Sequence, residues 1–250
     1  MKVLDRKKNP PIVDAVNFKL NLKPYQKFVL DNGVEVYAVD AGAEEVLQTE
    51  WIFSAGNAQE DKNLVAATTN FLLRNGTINK TAFQINEQFD YYGSYINRAC
   101  YNETATITLH SLTRHIDNLL PKVRELITDS VMPQEELSIY QQNMKQRLKV
   151  SLKKSDFVAG RLIDVYLYGE KHPYGKYSSA EDFDALKREE LVDFYKKYYQ
   201  QGKLIIFVAG KLPQNLEQLL NTNFGDLPFA NVIEKETAPV LGTEKKVRIT

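Results

Sequence analysis

The sequence predicts an α+β layer fold. Three observations carry that expectation. Lys27-Phe28-Val29-Leu30 and the run 34–39 flank Asp31-Asn32-Gly33, and a glycine there supplies the positive φ of a tight hairpin turn. The stretch 103–112 alternates Ala105, Ile107 and Leu109 with Thr104, Thr106, Thr108 and His110, giving one apolar and one polar face, as in a sheet covered on one side. Elsewhere apolar residues recur at spacings of three and four, as in Leu119, Leu120, Val123, Leu126 and Ile127, which marks helices buried on one face.

In chain order, residues 1–24 are polar and proline-containing and read as an extended N-terminal arm. Residues 25–229 form the α+β domain. After the hairpin, 46–53 is a strand, followed by the loop Ser54-Ala55-Gly56-Asn57. The stretch 61–75, rich in Ala and Leu, reads as a buried helix with Gly76 as its stop. A second helix covers 81–92, with Thr81 at its N-cap, a shared apolar face of Ala82, Ile85 and Phe89, and Gly93 at its end. Strands at 94–101 and 103–112 come next, then a helix at 116–129. Pro133, followed by Glu135-Glu136, starts a helix that runs to 154, and 156–167 is helical too. Residues 169–179 form a loop, 181–199 one or two helices, 203–210 a short buried strand and 214–224 the last amphipathic helix. Residues 230–250 read as a linker followed by the opening strand of a second domain.

Bulk properties exclude several functions. Lys and Arg number 32, as do Asp and Glu, so no global positive field favours nucleic acid or anionic lipid. Tyr and Phe are scattered through strands and helices, which suits core and interface rather than a platform for bases. No run approaches the ~20 apolar residues of a membrane span, and the N-terminus lacks the apolar core of a secretory leader. A single cysteine, Cys100, excludes an internal disulfide and suits a reducing compartment, so a cytoplasmic location is expected, or a periplasmic or secreted one where a leader has been removed.

Four stretches carry a more specific signal. Glu50-Trp51-Ile52-Phe53-Ser54-Ala55-Gly56-Asn57 is a strand ending in a glycine loop. The helix tail Leu72-Leu73-Arg74-Asn75-Gly76-Thr77 follows. Gly93-Ser94-Tyr95-Ile96-Asn97 precedes a Thr-rich strand. Last come His172-Pro173-Tyr174-Gly175, then Phe194-Tyr195-Lys196-Lys197-Tyr198-Tyr199 and Val208-Ala209-Gly210. In this order they resemble the insulinase/pitrilysin family of zinc peptidases over nearly the whole chain. That resemblance implies a mixed, largely antiparallel sheet with helices packed on it.

In the family, the first long helix carries the inverted zinc motif H-x-x-E-H: two histidines as ligands and the glutamate between them as base. Aligned on Gly76-Thr77, the histidine positions fall on Ala67 and Phe71, and the base position on Asn70. The third ligand, a glutamate about 76 residues past the second histidine, falls on Arg147. An accessory glutamate two helical turns earlier falls on Tyr140. A methyl group and a benzyl ring offer no lone pair to zinc, and a guanidinium repels it. Taken alone, this helix is also what any α+β protein would use in its core. Among the histidines, His110 lies on a polar strand face, His115 reads as an exposed or capping residue, and His172 as a loop residue holding a turn. Cys100 shares a strand face with Ile96 and Arg98 and reads as a small buried hydrophobe rather than a nucleophile.

The resemblance therefore implies a non-catalytic subunit with no metal or cofactor of its own. It would pair with a zinc-bearing paralogous peptidase subunit, or with a second copy, to complete a chamber for peptide. The family adds extended peptide to a sheet edge; here 94–101 is the candidate edge and Asn97 the matching polar residue, which reads equally as a strand-end hydrogen bonder. Two other readings stand beside this: an active zinc metalloendopeptidase with a displaced metal site, and a standalone peptide-binding scaffold.

Overall fold

The computed structural model describes residues 23–229. The expected N-terminal arm, up to residue 22, and the linker and strand expected at 230–250 lie outside the described residues. Six strands form one sheet: β1 (Gln26–Val29), β2 (Glu35–Asp40), β3 (Val46–Phe53), β4 (Tyr95–Cys100), β5 (Ala105–Leu112) and β6 (Leu204–Gly210), in the order β1-β2-β6-β3-β5-β4. The expected hairpin is present, with Gly33 at φ 88° and its N–H donating to the Leu30 carbonyl at 2.8 Å. β6 inserts between β2 and β3, parallel to β2 and antiparallel to β3. The sheet is thus mixed, with every other pairing antiparallel.

Strand alternation sorts the two faces. Val36, Ala38, Trp51, Phe53, Ile107, Leu109, Ile206 and Val208 project to one side and are fully buried. Their burial under the helices, at about 25 cal/mol per Å² of apolar surface, is the main stabilising term. Trp51 meets Phe224 and Phe53 meets Tyr199, with ring centroids 5.4 and 4.8 Å apart. The other face stays open, and there Tyr37 and Phe207 stack at 5.1 Å.

The helices are α1 (Val65–Leu72), α2 (Ala82–Tyr91), α3 (Ile116–Thr128), α4 (Gln134–Ser151), α5 (Ser155–Tyr168), α6 (Ala180–Ala185), α7 (Arg188–Tyr195) and α8 (Leu216–Phe224). α1 packs on α7 and beside β4, α3 on α8, and α4 on α6. Thr81 caps α2 in a reciprocal box with Gln84, as its position predicts. The helix expected to run from 133 to 154 ends at Ser151, because 152–154 turn before α5 starts.

α1 departs most from expectation. It spans 8 residues rather than 61–75, and it ends four residues before Gly76. That glycine is not its cap: it has φ 154°, and a Cβ placed on it would stand 2.8 Å from Pro133 Cγ, so it permits close approach to the loop before α4.

Candidate functional site

The entry to α1 is fixed by a carboxylate. Glu60 lies 6 % exposed after a single 3₁₀ turn. One of its oxygens accepts the Leu64 N–H at 3.1 Å and the other the Ala66 N–H at 2.8 Å, satisfying first-turn donors that no helix bond can reach. Leu64 takes φ 73° there, a left-handed conformation that costs about 1–2 kcal/mol in an L-residue; the two bonds to the Glu60 carboxyl offset it. Burial pushes the Glu60 carboxyl up to about 7 despite those bonds. Alongside, Lys62 pairs with Glu190 at 2.8 Å and Asn63 donates to Asp182 at 3.0 Å, tying the start of α1 to α6 and α7.

The motif positions divide between two environments. Asn70 turns inward and is 2 % exposed. Its amide donates to the Thr106 carbonyl at 3.2 Å and the Tyr199 hydroxyl at 3.0 Å. Ala67 is half-buried and Phe71 is 37 % exposed, one turn apart on the outer face. Phe71 packs against Tyr140 of α4, centroids 4.7 Å apart, and the Arg98 guanidinium lies 4.9 Å from the Phe71 ring centre. Arg98 also donates to the Phe71 carbonyl and, at 3.4 Å, to Asn75 Oδ1. Arg147 is exposed two turns beyond Tyr140. The phenol of Tyr140 is raised first by burial, with Arg147 acting in the opposite direction.

This donor set does not fit zinc. A peptidase centre needs three lone-pair ligands and an open position. Here a ring and a guanidinium fill the space beside Phe71, and the Asn70 amide is committed to the core. Among the described residues no group of three or more His, Cys, Asp and Glu could hold a metal ion.

The remaining candidates take structural places. His110 is exposed opposite Tyr95. His115 precedes α3 and is partly exposed, with no side-chain cap bond. His172 is 7 % exposed; its Nδ1 accepts the Tyr174 N–H at 3.2 Å and its ring stacks on Tyr168, so it does hold its turn. Cys100 packs at the edge of the core, its Sγ 3.4 Å from Asn57 Oδ1, and burial, then Glu60, pushes the thiol up to about 12. A thiol that stays protonated is no nucleophile at neutral pH. Asn97 is mid-strand and exposed on the open face, so the strand-end reading does not describe it.

β4 is an edge strand. Its Tyr101 end turns inward, the N–H donating to Thr104. Alternation therefore aims the backbone groups of Ile96, Arg98 and Cys100 outward. Arg74 takes one of them, donating to the Ile96 carbonyl at 3.0 Å. No sequence motif singles out Arg98, Arg74 or Glu60 as a site residue. The available signal was Arg98 itself, a cation set between Ile96 and Cys100 on the inward face of a strand.

The described residues form an α+β layer with a short helix laid beside its edge strand, and the side chains at positions 67, 70 and 71 are not metal ligands. The comparisons with known proteins fit an inactive insulinase/pitrilysin-like (M16) family member, and the sequence carries no H-x-x-E-H motif. Residues 185–250 match the family model described as the peptidase M16 inactive domain. An uncharacterized zinc protease of Rickettsia felis is 25% identical over 189 residues, 68% of this chain and 46% of that protein. The mitochondrial-processing peptidase subunit beta of Neurospora crassa is 22% identical over 79% of this chain and 44% of its own length. The crystal structure of a peptidase M16 inactive domain from Pseudomonas fluorescens superposes with a TM-score of 0.79 at 23% identity, over 87% of this chain and 54% of that one. The chain spans about half the length of the relatives it matches.

Proposed function

We propose that this chain is a non-catalytic partner in a peptide-handling chamber, joined to a zinc-bearing paralogous subunit or to a second copy of itself. The observation that carries the reading is the packing of Phe71, Tyr140 and Arg98 where a metal set would stand. Such a surface holds no metal and readies no water, yet the fold beside it is kept. The relative named as a beta subunit supports the paired arrangement. Residues 25–229 would be the first α+β domain, and 230–250 the link to a second. Extended peptide would add to the outward backbone of β4, with Asn97 on the open face nearby.

Co-expression with a paralogue from the same genome that carries an intact H-x-x-E-H tests the pairing. The expected result is a complex that survives affinity and size-exclusion steps and cleaves peptide, while this chain alone does not. If each chain purifies alone at micromolar concentration and no mixture gains activity, the partner reading fails and a standalone scaffold takes its place.

A further inference from the structure

Two guanidinium groups bear on β4, Arg74 through an outward carbonyl of this edge strand and Arg98 from the strand's inward face, turned to Phe71 and Asn75. Arg74 reaches it from the end of α1 through the Ile96 carbonyl, and Arg98 projects from it two residues along. Neither forms an ion pair with a carboxylate among the described residues. Glu136 connects to Arg98 only through the Asn75 amide, which donates to it at 2.7 Å. Arg98 is held by the Phe71 ring and carbonyl through one nitrogen, Nη1. Its Nε and Nη2 have no partner among the described residues and are not sealed from solvent. Burial, then the neighbouring Arg74, pushes Arg98 down to about 9. A largely buried cation beside a like charge is costly unless an anion arrives.

The geometry points to a carboxylate-binding site formed by Arg74 and Arg98 at the β4 edge, whose ligand is the C-terminal carboxylate of an extended peptide. Three features converge on that ligand class. A planar guanidinium presents paired donors that match a carboxylate. The outward N–H and C=O groups of Arg98 and Cys100 can pair with a peptide backbone. Arg74 already occupies the outward Ile96 carbonyl near the start of that strand, so a chain added along Arg98 and Cys100 would stop against it. This inference rests on the peptide-edge reading above and narrows it to peptides with a free C-terminus.

The test passes a random hexapeptide library with free C-termini, and the same library amidated, over the immobilised full chain, with retained peptides quantified by mass spectrometry. The expected result is retention of the free acids about ten-fold or more above the amides, the size of a charge-assisted contact. Arg98→Gln and Arg74→Gln should each abolish the preference while circular dichroism shows the protein still folded, and Arg98→Lys should retain only part of it. If Arg98→Gln does not fold, Arg74→Gln decides. Equal retention of both libraries overturns the carboxylate site and leaves the peptide reading standing. Retention of neither overturns both. Displacement of retained peptides by acetate at their own concentration would mean that a small acid, not a peptide end, is the ligand, and would overturn the proposal.

Discussion

Asn70→Glu, the substitution that restores the base of the family motif, is expected to destabilise the protein by about 3–5 kcal/mol and to confer no peptidase activity. Asn70 is not a worn remnant facing solvent. Its amide supplies both donors of a buried junction between α1, β5 and the turn after α7, where it meets the Thr106 carbonyl and Tyr199 hydroxyl. A carboxylate has no donor for the Thr106 carbonyl and would carry charge into a site that is 2 % exposed. Complete burial holds the Tyr199 hydroxyl protonated, well above the usual phenol range, so it can donate one hydrogen bond to the carboxylate but brings no positive charge to balance it. Asn70→Asp should lose stability in the same direction with almost no change in volume, which separates charge from size. Urea denaturation midpoints at constant slope report both variants; a shift below 1 kcal/mol for either would show that the amide is not a core contact.

Stability should fall by about 3 kcal/mol as pH rises from the ordinary carboxylate range to above 7, and Glu60→Gln should remove most of that loss. The sign follows from the raised carboxyl. Burial lifts Glu60 from 4.5 to about 7 in the folded protein, so the native state binds the proton more tightly than the unfolded chain. The contribution is complete below pH 4.5 and is lost as pH rises through about 7. The two backbone bonds from α1 oppose burial without overcoming it. Lys176 lowers the value and Asp182 raises it, both by smaller amounts. Glutamine keeps one acceptor for the helix N–H groups and no charge, so its stability profile should be flat where the native one slopes. Thermal or urea unfolding at pH 5, 6, 7 and 8 measures the slope; an unchanged slope in Glu60→Gln would assign the effect elsewhere.

Much of the fold is legible in the sequence because strand alternation and helical stripes are local signals. β4, β5, α2 and α3 lie within one or two residues of expectation. The place of β6 is not local: its apolar run announces a buried strand, yet nothing in it says that it separates β2 from β3. The length of α1 is not legible in the sequence because the Ala- and Leu-rich stretch has helical composition beyond both ends. A buried carboxylate sets its start, and its end falls before an extended glycine whose purpose is contact with Pro133. At the site, the residue types at 67, 70, 71, 140 and 147 already argue against zinc. Their division into a core amide and an outer aromatic pair depends on packing that a linear pattern does not carry. Glu60 and the two arginines belong to no motif and become visible only when α1 and β4 are brought side by side.

Zinc content of the purified full-length protein, measured by mass spectrometry after incubation with excess zinc and desalting, bears most directly on the claim that this homologue works without its own metal. The side chains at the motif positions predict no stoichiometric zinc at neutral pH. Zinc retained in proportion to protein, and displaced by substitutions at Phe71 or Tyr140, would contradict the claim.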